Sequence, residues 1–522
     1  MNTEFVFKAL TGAIALACAG SAFALNLTTY NEADPNTVTV RISGSSAHDK
    51  GLETLFRIKA TAGAELCSPT QPIDIYRSAD GNKRIIYCLA GANSGVAGKK
   101  LLIHKQSNGG SGVGVGGLIQ SPYLLADGAT ASVRYLDIAT AAAVATNGTT
   151  GATASFQDAN LHTGVPNTFV ASPNAGGLAD VGISDEEPER FKSAFNPAVL
   201  QSQIDALTKK AISGVIFGVP VTKGIYQHLQ AIEFATTSTC NPNNAGYAAV
   251  ADGEACMPSL ARSQVAGLFN GNISDWSQIQ SPLTTASGTD VASVSTPSYP
   301  ALADTGVYIE RRTTTSGTQR GAEIQFLSNF CDLPGAQAAV TAVQDPTHVV
   351  ENSSGGTIPT NLNNHDTAKR GAVGVLTSET VAAAGNGWRF IKIDGAAPTL
   401  LNVVKGTYSH FYESTLQYTA ATAANASKKA VADAIGANIG NPNVVNDLNT
   451  QFVQLFGVAG LVANASDNAA GAPVPPLGAG TGTAGDVLLH PVALTTRAIG
   501  VLNACLPPMP PLFGNVQGNA TP

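Results

Sequence analysis

The chain has 522 residues, of which 44% are hydrophobic, only 12% are charged and 54 are glycine. This length exceeds one small core and fits two lobes, and the hydrophobic share excludes a disordered chain. A net charge of −7 argues against bulk electrostatic binding to nucleic acid or an anionic membrane, while leaving room for a small local anion site.

Residues 1–24 read as a signal peptide. Lys8 closes a short polar start, Ala9 to Ala19 is apolar, and Ala22-Phe23-Ala24 forms a small-x-small cleavage site, so the mature chain is expected to begin at Leu25. Cys18 follows Ala15-Leu16-Ala17, a poor match to a lipoprotein signal. No later stretch is long and apolar enough to span a membrane. The expected destination is the periplasm or the outside of the cell.

Six cysteines follow the leader: Cys67, Cys88, Cys240, Cys256, Cys331 and Cys505. An even number in an exported chain suggests disulfides, although many connectivities are possible. The short-range pairs Cys67–Cys88 and Cys240–Cys256 are expected, which leaves Cys331–Cys505 to tie the tail to the body. The spacings do not match a zinc knuckle, the histidines are scattered, and no metal or cofactor is expected.

Val38 to Ile42 alternates and is β-branched, which predicts a strand. Leu52, Leu55, Phe56 and Ile58 have helical spacing, with Ser45 or Ser46 as the cap. Leu101 to His104 predicts a second strand running into the Gly-rich loop "SNGGSGVGVGG"; that loop lacks the downstream acidic residue of a dinucleotide site. Residues 118–175, approximately, are rich in Ala, Thr, Gly and Asn and read as an insertion. "ADVGISDEEPERF" repeats the strand–turn–helix theme, with Asp185 at the helix start and "DEEPER" as a solvated first turn. Thr284 to Ala303 is a second loose stretch. "VYI" ahead of "RRTTTSGTQRGAEIQFL" makes a fourth joint, with Ile324, Phe326, Leu327 and Phe330 as the apolar face and Arg311 as a surface charge or a strand-end residue. Trp276 and Trp388 are expected to pack in the core. Gly471 to Asp486 is a Pro/Gly linker. Four strand–turn–helix joints with small and hydroxyl residues at the turn predict an α/β architecture.

A helix start offers unpaired N–H groups and partial positive charge; hydroxyls and an arginine beside it can grip an oxyanion. The order of these turns resembles that of the PstS-like periplasmic phosphate-binding proteins. "SGSSAHD" (Ser43 to Asp49), "SNGGSG" (Ser107 to Gly112), "DVGISD" (Asp180 to Asp185), "FGVPVTKG" (Phe217 to Gly224), "RSQVAGLFNGNISDW" (Arg262 to Trp276), "RTTTSGT" (Arg312 to Thr318) and "GAVGVL" (Gly371 to Leu376) stand where that family has its ligand loops, crossing segment and second-lobe motifs.

The resemblance implies a two-lobe, type II periplasmic-binding-protein architecture with insertions. Lobe I would comprise 25–218 and 393–522, including the insertion and a C-terminal extension, and lobe II 219–392. It implies Arg312 as the cation, Ser316, Gly317 and Thr318 as donors at a helix start, and Asp185 as acceptor of a proton from protonated phosphate. Ser45, Ser46 and His48 would line the first loop, with His48 donating best when charged, and Ser107 or Ser111 would donate from the second. The family's bracing acid is Thr314 here, and its first-loop Thr-Phe pair is His48-Asp49.

The function implied is capture of an oxyanion, phosphate foremost, for an ABC transporter membrane component, without catalysis. A secreted phosphatase-like enzyme and a secreted or adhesion protein keeping the fold without the ligand are the alternatives.

Overall fold

The computed structural model describes residue 27, residues 30–57, 65–119, 179–283, 287–328, 337–449 and 452–463, and short pieces between 123 and 170. The leader, Ile58, Phe330, Cys331, Cys505 and the Pro/Gly linker lie outside the described residues.

Three of the four expected strand–turn–helix joints are present, and the one after Val181–Ser184 runs into 3-10 turns instead of an α-helix. Strand β1 (Thr37–Gly44) leads to helix α1 (Asp49–Arg57). β1 is buried on both faces, as a parallel strand inside a sheet must be. Leu52, Leu55 and Phe56 face the core, which is why this short segment is helical. The Ser45 hydroxyl accepts from Ala47 N–H at 3.1 Å, making a tight turn before the helix. β2 (Ile73–Ser78) and β3 (Lys83–Leu89) form a hairpin, and β4 (Lys100–Gln106) runs into α2 (Val113–Ile119). Within the expected insertion, β5 (Ala159–Val165) pairs in parallel with β2, so that segment supplies an edge strand. β6 (Val181–Ser184) ends at Asp185. The turns after it are 3-10, and Asp185, Glu186, Glu187 and Arg190 are buried rather than solvated.

The 15-residue strand β7 (Thr208–Thr222) joins the two parts of the sheet. It precedes α3 (Lys223–Glu233) and α4 (Arg262–Asn270), and α4 ends at Gly271 with φ of 80°. β8 (Tyr308–Arg312) precedes α5 (Gly317–Leu327). After these come β9 (Val349–Asn352), α6 (Thr357–Thr367), β10 (Ala372–Gly374), β11 (Leu376–Thr377), β12 (Trp388–Ile393) and β13 (Phe411–Tyr418). The main path of the mixed sheet is β9-β8-β10-β7-β13-β6-β1-β4-β3-β2-β5. The first half of β7 pairs with β13, Phe217 and Gly218 pair with β11, and Val219 to Thr222 pair with β12. One buried apolar cluster extends from Val40 and Ile42 to Trp276, Trp388 and Phe390. The fold is mixed α/β, and no helix among the described residues is long and apolar enough to cross a membrane.

Both short-range disulfides, Cys67–Cys88 and Cys240–Cys256, are present. Arg311 stands at the end of β8, as one of its two readings had it, and is buried there rather than a surface charge. Its Nη1 donates to Val340 O at 2.7 Å, and Glu323 and Glu351 lie at 3.7 and 3.8 Å.

Candidate functional site

Glycine at the turns lets the loops approach closely. Gly44 has φ of 110°, and a Cβ there would lie 2.8 Å from Gly114 Cα and against Ile183 O. Only glycine accepts both that conformation and that contact. With it, the start of α2 closes onto the ends of β1 and β6. Ser43 Oγ donates to Val113 O at 3.1 Å, and Ser184 Oγ to Ser111 O at 2.8 Å.

Asp185 is the centre of the arrangement. Ser45 Oγ donates to its Oδ1 and Ser111 Oγ to its Oδ2 at 2.9 Å, while Asp185 N–H donates to Ser111 Oγ at 3.0 Å. A Cβ on Gly317 would lie 2.7 Å from Asp185 Oδ2 and 2.5 Å from Ser111 Oγ. The carboxyl therefore sits against the start of α5, whose first-turn N–H groups have no carbonyl within the helix. Ser316 caps that helix, its Oγ accepting from Gln319 N–H at 3.4 Å. Gly112 N–H donates to Thr315 O at 2.7 Å, joining the loop before α2 to the loop before α5.

Burial pushes the Asp185 carboxyl above the usual carboxylate range, opposed by the Ser45 and Ser111 hydrogen bonds and by the charges of Arg312 and Lys105. Arg312 is fully enclosed and is lowered to about 10 by that burial, with Asp185 opposing; it stays charged at neutral pH. Its Nε donates to Asn352 O at 3.1 Å and its Nη2 to Ser353 O at 3.3 Å. These carbonyls hold the guanidinium, while Thr314 is partly exposed. Asn352 is fixed in turn by Glu310, Thr357 and Asn361.

Below the first loop lies a second ionic layer. Lys105 Nζ, fully buried, donates to Gly44 O at 2.8 Å, Ser45 O at 3.0 Å and Ser107 Oγ at 2.9 Å, and pairs with Asp49 Oδ1 at 3.1 Å. Arg84 Nη1 is 2.5 Å from Asp49 Oδ2. Burial pushes the Asp49 carboxyl up, but Arg84 and Lys105 outweigh it and, with the Ser107 hydrogen bond, hold it below the usual range.

The sequence-predicted residues divide accordingly. Ser45, Ser111, Asp185 and Gly317 meet at one point, with Ser316 and buried Thr318 on the same helix start and Arg312 within electrostatic reach. Ser46 is partly exposed at the first loop. Ser107 points its hydroxyl at both oxygens of Asp49, at 2.7 Å each, so it serves the lower layer. His48 is corrected. It is buried with Nδ1 3.5 Å from Ser213 Oγ, and burial, with Lys105 adding to it, pushes its imidazole down to about 3. It is neutral at physiological pH and cannot be a charged donor.

Sequence reasoning missed Lys105, Arg84 and the carbonyls of residues 352 and 353. The only signal for Lys105 was a cation in a strand, two residues before the Gly-rich loop.

No family model matches the chain, and no curated protein matches it. Solved structures do resemble it. A substrate-binding protein assigned to a phosphate ABC transporter, with bound phosphate, from Clostridium perfringens is 11% identical; the match covers 79% of this chain and 98% of that one, with a TM-score of 0.38. PstS from Borrelia burgdorferi is 10% identical over 81% and 98%, with a TM-score of 0.32. A phosphate-binding protein from Stenotrophomonas maltophilia is 11% identical over 78% and 84%, with a TM-score of 0.33. Identities this low and scores below 0.5 do not transfer a ligand.

Proposed function

We propose that the protein is an exported solute-binding protein that captures an oxyanion, inorganic phosphate foremost. The observation that supports this is the meeting of Ser45, Ser111, Asp185 and the Gly317 helix start, with Arg312 close enough for its charge to act on Asp185. Hydroxyls and helix N–H groups are neutral donors that grip anionic oxygen without a dense positive surface. A carboxylate among them accepts a hydrogen bond from a protonated anion and repels one that carries no proton, which favours phosphate over sulfate.

In this reading residues 25–218 and 393–522 form one lobe and 219–392 the other, with β7 as the crossing strand and residues 1–24 removed on export. Opening separates the 313–317 loop from the 107–112 loop and breaks the Gly112–Thr315 hydrogen bond. The anion enters, Ser45 and Ser111 turn part of their bonding from Asp185 to its oxygens, and closure dries the site. The closed form is what an ABC transporter membrane component would recognise.

Calorimetry with phosphate, arsenate and sulfate tests the reading. Phosphate and arsenate should bind and sulfate should not, and Arg312→Ala should weaken phosphate binding at least about tenfold, the loss of one charge-assisted contact. An Arg312→Ala protein that binds as tightly as wild type would refute the site.

A second reading, a secreted protein that keeps the fold without a ligand, is favoured by the donors themselves, since Ser45, Ser111 and Ser107 all bond internal carboxylates. Absence of heat with all three anions would select it.

A further inference from the structure

We propose that the Asp185 carboxyl is a built-in competitor of the oxyanion: it fills the seat the ligand needs, and a tetrahedral oxyanion is held only after that carboxyl has turned aside. The inference rests on the oxyanion reading above and adds the step that precedes capture.

The hydroxyl donors of the cradle are already committed. A serine hydroxyl has one hydrogen to give. Ser45 gives its hydrogen to Asp185 Oδ1, and Ser111 gives its own to Oδ2 at 2.9 Å. The two hydroxyl oxygens are engaged as well: Ser45 Oγ accepts from Ala47 N–H at 3.1 Å and Ser111 Oγ from Asp185 N–H at 3.0 Å. Neither hydroxyl can bond an incoming oxygen while the carboxyl keeps its place. The seating holds in either protonation state, since both forms of a carboxyl offer oxygen lone pairs to the two donors.

The space is taken too. A Cβ on Gly317 would lie 2.7 Å from both Cβ and Oδ2 of Asp185 and 2.5 Å from Ser111 Oγ. One added carbon has no room between the start of α5 and the carboxyl, so a tetrahedral anion has none. Ser45, Ser111 and Asp185 are all buried, and no open side is left by which a ligand could reach the donors around the carboxyl.

The backbone behind the carboxyl is fixed. Ser184 Oγ donates to Ser111 O at 2.8 Å and accepts from Gln417 Nε2 at 2.9 Å, and the Asp185 N–H is pinned by Ser111. The part free to turn is the Asp185 side chain. Its two oxygens each take a hydroxyl hydrogen, as two oxygens of the ligand would.

Competition of this kind contributes to selectivity. Protonated phosphate offers a hydrogen that the displaced carboxyl can accept, which offsets part of the cost of moving it. Sulfate offers none, so it meets an occupied seat with nothing to exchange.

The test is calorimetry with inorganic phosphate and with sulfate on wild type, Asp185→Asn and Asp185→Ala, with thermal melts to check folding. Asp185→Asn removes the carboxyl's charge but keeps its size, so the seat stays filled. Asp185→Ala clears the seat and releases both hydroxyls. Asp185→Ala should bind sulfate at least about tenfold more tightly than Asp185→Asn, the scale of one charge-assisted hydrogen bond regained. Should Asp185→Ala fail to fold, Asp185→Ser, whose side chain is too short to fill the seat, takes its place in the comparison. Sulfate binding by Asp185→Ala no tighter than by Asp185→Asn would overturn the competitor, and phosphate binding by wild type would then leave the cradle standing. Three proteins that bind neither anion would overturn both.

Discussion

Lys105 shows how one side chain can set a loop without touching a ligand. Its ammonium ties two carbonyls of the first loop, the Ser107 hydroxyl and Asp49 into one layer. Lys105→Met preserves much of the volume but leaves those carbonyls and Asp49 short of a cation in a buried place. The expected cost is about 3 kcal/mol, the scale for breaking a buried ion pair, read as a lower urea midpoint with unchanged slope. A stability equal to wild type would mean that Arg84 alone satisfies Asp49. The position illustrates what the sequence carried and what it did not. Ser45, Ser111, Asp185 and Gly317 were singled out by the resemblance of the loop order to the PstS-like family, and the structure brings the four together. The cation beneath them was not legible, because strand periodicity gives the face of a residue and not its partners across 60 positions. His48 misled for a related reason: imidazole reads as a donor until its burial is known.

At the scale of elements, the joint between α2 and the ends of β1 and β6 is a glycine contact. A Cβ on Gly114 would lie 2.4 Å from Ile183 O, and one on Gly182 would meet Gly114 O. These obstacles are backbone atoms, so they cannot swing aside. Gly114→Ala should therefore cost about 1–3 kcal/mol by overpacking and shift the Ser111 hydroxyl off Asp185. A melting temperature within error of wild type would refute the contact. The strand–turn–helix order was readable from hydrophobic spacing, and β1, β4 and α5 appear where the pattern put them. The edge strand β5 was not readable. Its segment is short of β-branched residues, and its pairing with β2 supplies what local propensity lacks.

At the scale of the whole molecule, buried imidazoles set the response to acid. His48, His104 and His410 are each pushed down to about 3, burial being the largest cause in every case. Their folded values lie below the unfolded value near 6.5. The stability they protect is intact above 6.5 and lost as pH falls from there toward 3. At pH 4.5 each accounts for about 2–3 kcal/mol of lost stability, two pH units at 1.36 kcal/mol apiece. His410 packs among Phe217, Phe326 and Tyr412, so His410→Phe should fit and should reduce the fall in urea midpoint between pH 7.5 and 4.5. An unchanged fall would show that His410 is not part of the acid response.

The segment 452–463 comes after every motif that drew attention to the chain, yet Gln454 grips the backbone on either side of Glu379. The last described stretch of polypeptide is thus a rear buttress for the turn that carries Glu379. Because the grip is on main chain, the residue at 379 can vary in evolution without loosening the buttress, whereas a change at Gln454 displaces whatever stands at 379. The shape of that turn is therefore tied to a position more than 70 residues further along the chain.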